Sequence, residues 1–537
     1  MPKFTLNDQV IEAEDGQTII QAAQDAGIDI PHYCYHPDLP IDGNCRMCLV
    51  EVEKMPKLTP SCTAIATEGM VVRSDSERVK EAVRGVLEFL LINHPVDCPV
   101  CDQAGECRLQ DYYMVYGLHT SEIPLGMKVR KRKVIDLGPM VVLDQERCVL
   151  CSRCIRFFDY VTETGEMQFF GRGDHVAIGT FEDKPLDNPY SGNVVDICPV
   201  GALTSRDFRF KCRVWFLHST DSVCAGCSTG CNVRVDHRDG TVFRLLPRRN
   251  TAVNESWLCD EGRLSFHELQ TGERVVRPMI KGRDGIHAPV TWKDAVRSID
   301  SRLKEVRDTN GSSSILGFGS PSATNESLFL LKRYLGGQLG ASQFEFRADS
   351  EDKNVLEEED QILRHFDKHP NSMGAIKLGL TSAELGGIEG AIKAARAGSI
   401  KAGVVIYLDP LVRRPGDDEA EGRILELIDS LEYSVLLAAH KAEWHASASV
   451  VLPVAAWLEE DGTYTNFQGR VQLAGKAIEA GGDALPAWEV FAMLLHASGA
   501  QSPWMSARDV FATMAESDTV YRGLTIEQTR LPGVVLR

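Results

Sequence analysis

Apolar and polar positions over residues 1–30 alternate, turn, and then change period. FTLNDQVIEAE predicts two short strands, Asp15–Gly16 a turn, and TIIQAAQDAG a helix. The loop CYHPDLPIDGNCRMC leads into a strand-like LVEVE. Further on, ERVKEAVRGVLEFLLI sets Val79, Val83, Val86, Leu87 and Leu90 on one helical stripe. That helix is expected to end near Asn93–His94, because Pro95 disfavours helical backbone in the residue before it. From about residue 275 the texture changes. VTWKDAVRSIDSRLKEV predicts a helix, and SSSILGFGS a strand running into a glycine turn. AELGGIEGAIKAARAGSIKAGVVIYLDP predicts a helix and then a buried strand; SVLLAAHKAEWHASASVVLPVAAW opens on another apolar strand. Buried strands alternating with helices imply a mostly parallel sheet. LEEEDQ and GDDEAEGR are expected to be solvated acidic faces, and His440 and His445, among apolar and small residues, to take packing or surface roles rather than ligate. The GxG in LGFGSPSATNE lacks the full dinucleotide fingerprint.

Composition narrows the class without naming it. At 537 residues the chain should hold several domains, and 43% hydrophobic with 25% charged residues is ordinary globular usage. A net charge of −18 argues against nucleic acid or an anionic membrane face as the main partner. No apolar run reaches the ~18 residues of a membrane span, so no direct span is expected. The opening MPKFTLNDQVIEAEDG reads as neither a signal nor a transit peptide, so membrane contact is expected to go through partners. The 16 cysteines all lie between Cys34 and Cys259. Without an export signal, metal ligation in a reducing cytoplasm is a better reading than a disulfide framework.

Those cysteines fall into four sets. Cys34, Cys45, Cys48 and Cys62 are spaced C-x10-C-x2-C-x13-C. Plant-type [2Fe–2S] ferredoxins use a related pattern with a shorter first gap. Four-Cys zinc is the alternative, and the hairpin–helix–Cys-loop order favours [2Fe–2S]. His94, Cys98, Cys101 and Cys107 follow the helix as H-x3-C-x2-C-x5-C. Three thiolates leave one iron of a cubane without a ligand, and His94 is placed to supply it. A neutral imidazole in place of a fourth thiolate should raise the potential, as in Rieske centres. The third set is legible by subtraction. Two-cluster bacterial ferredoxins repeat C-x2-C-x2-C-x3-CP, with each fourth Cys serving the other cluster. Here Cys148, Cys151 and Cys154 are followed by Phe158 in the fourth place, and the second run has Asn188, Ser191 and Val194 before Cys198. The survivors make one complete set, hence one [4Fe–4S] cluster of an ancestral pair. Cys224, Cys227, Cys231 and Cys259, spaced C-x2-C-x3-C-x27-C, form the fourth set, for which [4Fe–4S] is favoured over zinc. Cys212 is left over and expected to be a buried, inert thiol. Arg46 and Arg153 lie between ligands, where they either tune potential or are solvated.

The segments GNCRMCLVEVE, HPVDCPVCDQAGECRLQD, RCVLCSRCIRF and GNVVDICPVGAL, in this order, closely resemble the large iron–sulfur subunit (the G subunit) of bacterial NADH:quinone oxidoreductases, the respiratory complex I family. PVTWKDAV, FGSPSATNE, SVVLPVAAWLEEDGTYTNFQGR and the fourth Cys set resemble molybdopterin oxidoreductases. The resemblance implies an α+β multidomain chain. It would have a β-grasp [2Fe–2S] ferredoxin-like domain at 1–78, a helical [4Fe–4S] segment with one His and three Cys ligands at 79–118, and a bacterial-ferredoxin-like [4Fe–4S] domain at 119–215. A further [4Fe–4S] domain of the molybdenum/tungsten oxidoreductase type would span 216–272, and a truncated molybdopterin-oxidoreductase-like α/β domain without cofactor 273–537.

It also implies an electron wire with no residue in acid–base or nucleophilic chemistry. In the family, a neighbouring flavin-bearing subunit oxidises NADH. Electrons pass to the Cys34 set, the Cys148 set and the His94 set, then to other cluster-bearing subunits and to quinone, and the whole complex couples this to proton translocation. The fourth cluster is usually off that route, and its complete set argues against a mitochondrial origin. The chain would sit peripherally on the cytoplasmic side of a bacterial inner membrane, held by the other complex I subunits. The rival is the catalytic subunit of an NAD-linked molybdenum formate dehydrogenase, which usually ligates its metal with Cys or selenocysteine; no Cys follows Cys259. Iron-only hydrogenases need further cysteines and are excluded. A zinc-stapled scaffold would be colourless, where the wire is brown.

Overall fold

The N-terminal alternation is realised as a hairpin, β1 (Lys3–Leu6) against β2 (Gln9–Glu12), followed by helix α1 (Ile19–Asp25). Thr18 and Gln21 close a capping box that fixes where α1 starts. Strands β3 (Leu49–Val52), β4 (Thr59–Pro60) and β5 (Val71–Arg73) complete a five-stranded sheet in the order β2-β1-β5-β3-β4, with β5 parallel to β1. This is the β-grasp arrangement. Its core is Phe4, Leu6, Ile19, Ile20, Val50 and Val72, with Cys48 and Cys62 built into the same cluster. In this computed structural model, residues 1–117, 124–346, 359–381, 385–408 and 417–536 are described. They group into two units, Met1–Leu217 and His218–Arg537.

The predicted stripe is helix α2 (Glu77–Leu91), which ends with Ile92 as its C-cap, slightly earlier than Pro95 alone required. Val79, Val83 and Leu87 are buried against Cys107, Leu109, Tyr112 and Val200, while Val86 and Leu90 are only partly buried at the margin. Helix α3 (Arg108–Tyr116) begins immediately after Cys107. A three-stranded sheet of β6 (Ile135–Asp136), β7 (Val141–Leu143) and Leu203–Ser205, with helix α4 (Arg153–Tyr160), carries the ferredoxin-like segment.

The second unit opens on an antiparallel sheet of His218–Val223, Asn232–Arg238 and Thr241–Pro247. Beyond it a seven-stranded sheet runs in the order His287–Pro289, Met279–Lys281, Val450–Pro453, Tyr433–Ala438, Ala402–Tyr407, Ile315–Gly319, Gln343–Phe346. The last five strands are mutually parallel, as the buried runs predicted; the first two add an antiparallel edge. The predicted helices occupy Trp292–Asn310 and Ile388–Arg396. The acidic runs fall partly outside the described residues: 356–358 of LEEEDQ and 416 of GDDEAEGR are not described. Residues 417–430 form a helix. His445 is buried and accepts from the Ala442 amide at 2.7 Å, a packing role as expected. No helix among the described residues is long and apolar enough to cross a membrane.

Candidate metal centres

In the first Cys set, Cys48 and Cys62 belong to the β-grasp core and Cys34 and Cys45 to the cluster beside α2. Cys34 lies in the loop after α1, Cys45 and Cys48 lead into β3, and Cys62 follows β4, where the Ser61 amide donates to the Cys48 carbonyl at 2.8 Å. Arg46 takes a left-handed conformation, φ 57°, which turns the chain between the two ligands; its side chain is exposed. The thiols meet in pairs. A hydrogen bond from Cys34 lowers Cys45, and one from Cys62 lowers Cys48. The donors Cys34 and Cys62 are pushed well up by the same bonds and by burial. Four thiols so placed, three of them essentially fully buried, cannot all ionise without a cation among them. That donor set fits a metal–sulfide cluster.

The second and third sets are packed on the same unit. Cys98 opens the short turn Cys98–Val100, whose end the Cys101 amide closes onto the Cys98 carbonyl at 3.1 Å. Arg213 forks onto the carbonyls of Pro99 (2.6 Å) and Cys101 (2.5 Å). Lys128 Nζ donates to the carbonyls of Leu91 (2.8 Å) and His94 (2.7 Å), and Asn93 accepts from the Val129 amide at 3.0 Å. These bonds pin the segment leaving α2. His94 is 9% exposed, and burial, then Arg147, pushes its imidazole down to about 4. It is neutral near pH 7, the form with a lone pair to give. Burial lifts Cys107 to about 11. A Cβ on Gly201 would stand 2.4 Å from Cys101 Sγ, so this thiol takes its place only beside a glycine.

Cys148 and Cys151 lie on the loop entering α4, Cys154 in its first turn, and Cys198 on the turn after Asn193–Asp196. Leu150 (φ 53°) and Ser152 (φ 61°) are both left-handed, so the loop wraps inward and the Leu150 amide reaches Cys148 Sγ at 3.4 Å. Burial raises all four thiols, Cys198 to about 12, and the neighbouring thiols add to it. Arg153 Nε is buried without a protein acceptor beside Cys151. A sulfide or thiolate there would give it one. The set therefore fits a cluster with an N–H donor ready at its edge.

In the second unit, Cys224 follows the strand His218–Val223 and its amide bonds the Cys231 carbonyl at 2.8 Å. The Gly226 amide reaches Cys224 Sγ at 3.4 Å, and Cys259 caps the helix Asp260–Leu264 through the Gly262 amide at 3.3 Å. A Cβ on Gly262 would lie 3.1 Å from both Cys224 and Cys259 Sγ. Burial raises Cys224 to about 12 and raises Cys231 and Cys259 as well. Ser228 and Thr229 are tied to Asp367, His365 and Leu363, and Asn232 to Asn250, Asn254 and Gln472. The molybdopterin-type segment thus frames this set.

Within each set thiols stand close enough to shift one another, and His94 is buried on the loop of the second, while one apolar cluster takes in Cys34, Cys107 and Cys151 from the first three sets. Among the described residues, no three His, Cys, Asp or Glu side chains stand at the geometry for a single metal ion. Cys212 departs from expectation: it is partly exposed, because its flanks Lys211–Phe216 run over the surface as a turn with Trp215 and Phe216 exposed. Sequence reading passed over Gly201, Gly262, Arg147 and Arg156, whose importance lies in partners distant along the chain.

Family models match residues 2–77 as a 2Fe-2S iron-sulfur cluster binding domain and 84–122 as the NADH-ubiquinone oxidoreductase-G iron-sulfur binding region. Residues 138–204 match the ferredoxin-like domain of NADH-quinone oxidoreductase subunit 3, and 217–267 the NDSU1/NuoG-like 4Fe-4S domain of NADH-ubiquinone oxidoreductase. The G subunit of the NADH-quinone oxidoreductase of Rickettsia bellii is 40% identical over 354 residues, 65% of this chain and 51% of that protein. Over about two thirds of its length the chain is similar to NADH-quinone oxidoreductase G subunits. The mitochondrial NADH dehydrogenase [ubiquinone] iron-sulfur protein 1 of Solanum tuberosum is 42% identical over 60% of this chain and 43% of its own length. The chain spans about half the length of these relatives. Residues 274–363 and 390–497 match molybdopterin oxidoreductase. A chain of the NAD+-reducing [NiFe]-hydrogenase is 31% identical over 40% of this chain and 91% of that one, with a TM-score of 0.36. The chain has [2Fe–2S] and [4Fe–4S] binding domains and a molybdopterin oxidoreductase domain, in an α+β multidomain fold. These relatives do not favour the formate dehydrogenase reading.

Proposed function

We propose that this chain is an electron-transfer subunit of an NADH:quinone oxidoreductase, the respiratory complex I type. The carrying observation is that thiols of one set are one another's electrostatic neighbours, most of them buried, with three of the sets inside the unit Met1–Leu217. Iron–sulfur clusters bound there would supply one-electron redox chemistry. Cys34, Cys45, Cys48 and Cys62 would hold a [2Fe–2S] cluster. His94, Cys98, Cys101 and Cys107 would hold a [4Fe–4S] cluster, as would Cys148, Cys151, Cys154 and Cys198, and Cys224, Cys227, Cys231 and Cys259.

The chain's own contribution is to bury these groups, exclude water and offer donors to sulfur. Burial supports this: every thiol with a resolved shift in the last two sets is raised, so the pockets favour ligands whose charge a metal neutralises. The domain division at 1–78, 79–118, 119–215, 216–272 and 273–537 is part of the same proposal. So are its partners: a flavin-bearing NADH-oxidising subunit, cluster-bearing subunits leading to quinone, and the remaining complex I subunits, on the cytoplasmic side of a bacterial membrane.

The test is metal content of the anaerobically purified protein. About 14 iron per chain, from one two-iron and three four-iron clusters, is expected. Stoichiometric zinc without iron would overturn the reading in favour of a structural scaffold. Molybdenum near one per chain would make the second unit catalytic instead.

A further inference from the structure

We propose that Arg147, Arg153 and Arg156 are positioning residues: their guanidinium groups strap the three Cys loops of the first unit together and thereby fix the spacing of the redox path. This rests on reading those loops as cluster-bearing. All three arginines belong to the ferredoxin-like segment, just before or just after its ligands Cys148, Cys151 and Cys154.

Arg156 is 7% exposed and reaches two loops at once. Its Nη2 donates to the carbonyl of Cys34, itself a ligand of the first set, and also lies 3.4 Å from the carbonyl of Cys151, a ligand of the next. Its Nη1 donates to the Pro40 carbonyl, and its Nε to Ser152 Oγ at 3.0 Å. Ser152 in turn donates to Asp42 in the first loop. Arg153 repeats the pattern three residues earlier on α4. One end donates to the Tyr35 carbonyl, the neighbour of Cys34, and the other to the Ile197 carbonyl at 3.0 Å, the neighbour of Cys198. Arg147 faces the opposite way. It forks onto Asp97, between His94 and Cys98, at 2.5 and 3.0 Å, while its Nε holds Asp144 at 2.9 Å.

Guanidinium suits this task. It is planar, permanently charged and pre-organised as a fork, so one side chain can serve acceptors in two loops. The loop it grips, CYHPDLPIDGNC, buries Tyr35 and Leu39 but leaves Pro40, Ile41 and Asp42 exposed, so its outer part is held by hydrogen bonds rather than packing. Burying a charge there is costly unless its donors are met, and for Arg156 they are. The acceptors of Arg153 and Arg156 are mostly main-chain carbonyls of ligands or of their immediate neighbours. Movement of either strap is therefore movement of a ligand.

The experiment compares wild type with R156K, R153K and R147K in the full chain within its assembled complex. Lysine keeps the charge but not the fork. R206K, which alters the exposed Arg206–Asp136 pair, serves as control. Amide hydrogen exchange is expected to rise roughly tenfold over residues 34–42 in R156K and R153K, and over 97–107 in R147K, the factor for losing one hydrogen bond to a charged group. Exchange in β1 and β2 should stay unchanged. Pulsed electron paramagnetic resonance should show a broadened separation between the reduced [2Fe–2S] and neighbouring [4Fe–4S] centres in R156K, with iron content retained. Unchanged exchange and separation in R156K and R153K would overturn the proposal, as would equal loosening in R206K. Iron-free wild type would defeat the cluster reading, yet the exchange arms would still decide whether the arginines strap the loops.

Discussion

Gly201 and Gly262 show how little room the ligand thiols are given. An alanine at 201 would set a methyl group 2.4 Å from Cys101 Sγ, where one of the two must move. At 262 the corresponding distances are 3.1 Å to two thiols, a crowding that small shifts can absorb. Gly201→Ala is expected to cost about 1–3 kcal/mol as overpacking and to remove about four iron per chain. Gly262→Ala should retain most of its iron. Iron analysis of the two variants checks the contrast; equal iron in both would show that the Cys101 loop simply relaxes. Cys48→Ala, by contrast, removes a proposed ligand. About two iron should be lost, and electron flow to quinone should stop. Normal quinone reduction with that cluster demonstrably missing would defeat its place on the route.

Elements carry energies that single ligands do not. Leu87, on the inner face of α2, is 1% exposed and packs with Cys107, Tyr112 and Val200. Leu87→Ala should destabilise the first unit by about 3 kcal/mol, the usual cost of a large core truncation, and loosen the Cys107 loop first. Denaturant unfolding and hydrogen exchange measure the two effects. A different physics governs the junction of the helix Asn325–Lys332 with the strand Gly462–Thr465. There the Glu326 carboxylate accepts from the Thr463 amide (2.8 Å) and hydroxyl (2.9 Å) in a fully buried site. Burial pushes its carboxyl up to about 7, and the buried Glu460 shifts the same way. An unfolded glutamate titrates at about 4.3. Between those values the native state keeps a proton that the unfolded chain releases, so stability falls as pH rises through the window and levels off above it. The loss should be about 4 kcal/mol at full extent. Thermal unfolding of wild type and Glu326→Gln across that range checks the sign: the variant should show a shallower fall.

At the scale of the molecule, the two units should differ in their response to metal loss. Three of the Cys sets lie in Met1–Leu217, among small sheets and short helices, whereas His218–Arg537 has a seven-stranded sheet with a large apolar core. Chelation of iron under reducing conditions is expected to collapse hydrogen-exchange protection across the first unit. In the second it should open the Cys224 neighbourhood while leaving Ala402–Tyr407 and Tyr433–Ala438 protected. Equal loss in both units would show that the parallel sheet does not stand without its cluster.

Much of this was written locally. Period-two and period-3.6 patterns marked the hairpin, α1, α2 and the buried strands, because burial on one face constrains side chains at fixed short intervals. The Cys spacings marked the ligand sets for a similar reason, since a cluster needs several thiolates from one tight loop. The resemblance to the complex I iron–sulfur subunit rested on those same segments. What the sequence left open depends on separations that no local pattern encodes. Gly201 matters because of Cys101, Arg156 because of Cys34, Glu326 because of Thr463; each pair is joined only when the chain has folded back. Cys212 was misjudged on the same account, its apolar neighbours suggesting burial where the turn leaves them at the surface. Sequence determined which residues can ligate and which faces must be buried, because those follow from side-chain chemistry and repeat. Tertiary structure alone decided which carbonyls, glycines and charges surround each thiol, because those are set by where distant segments meet.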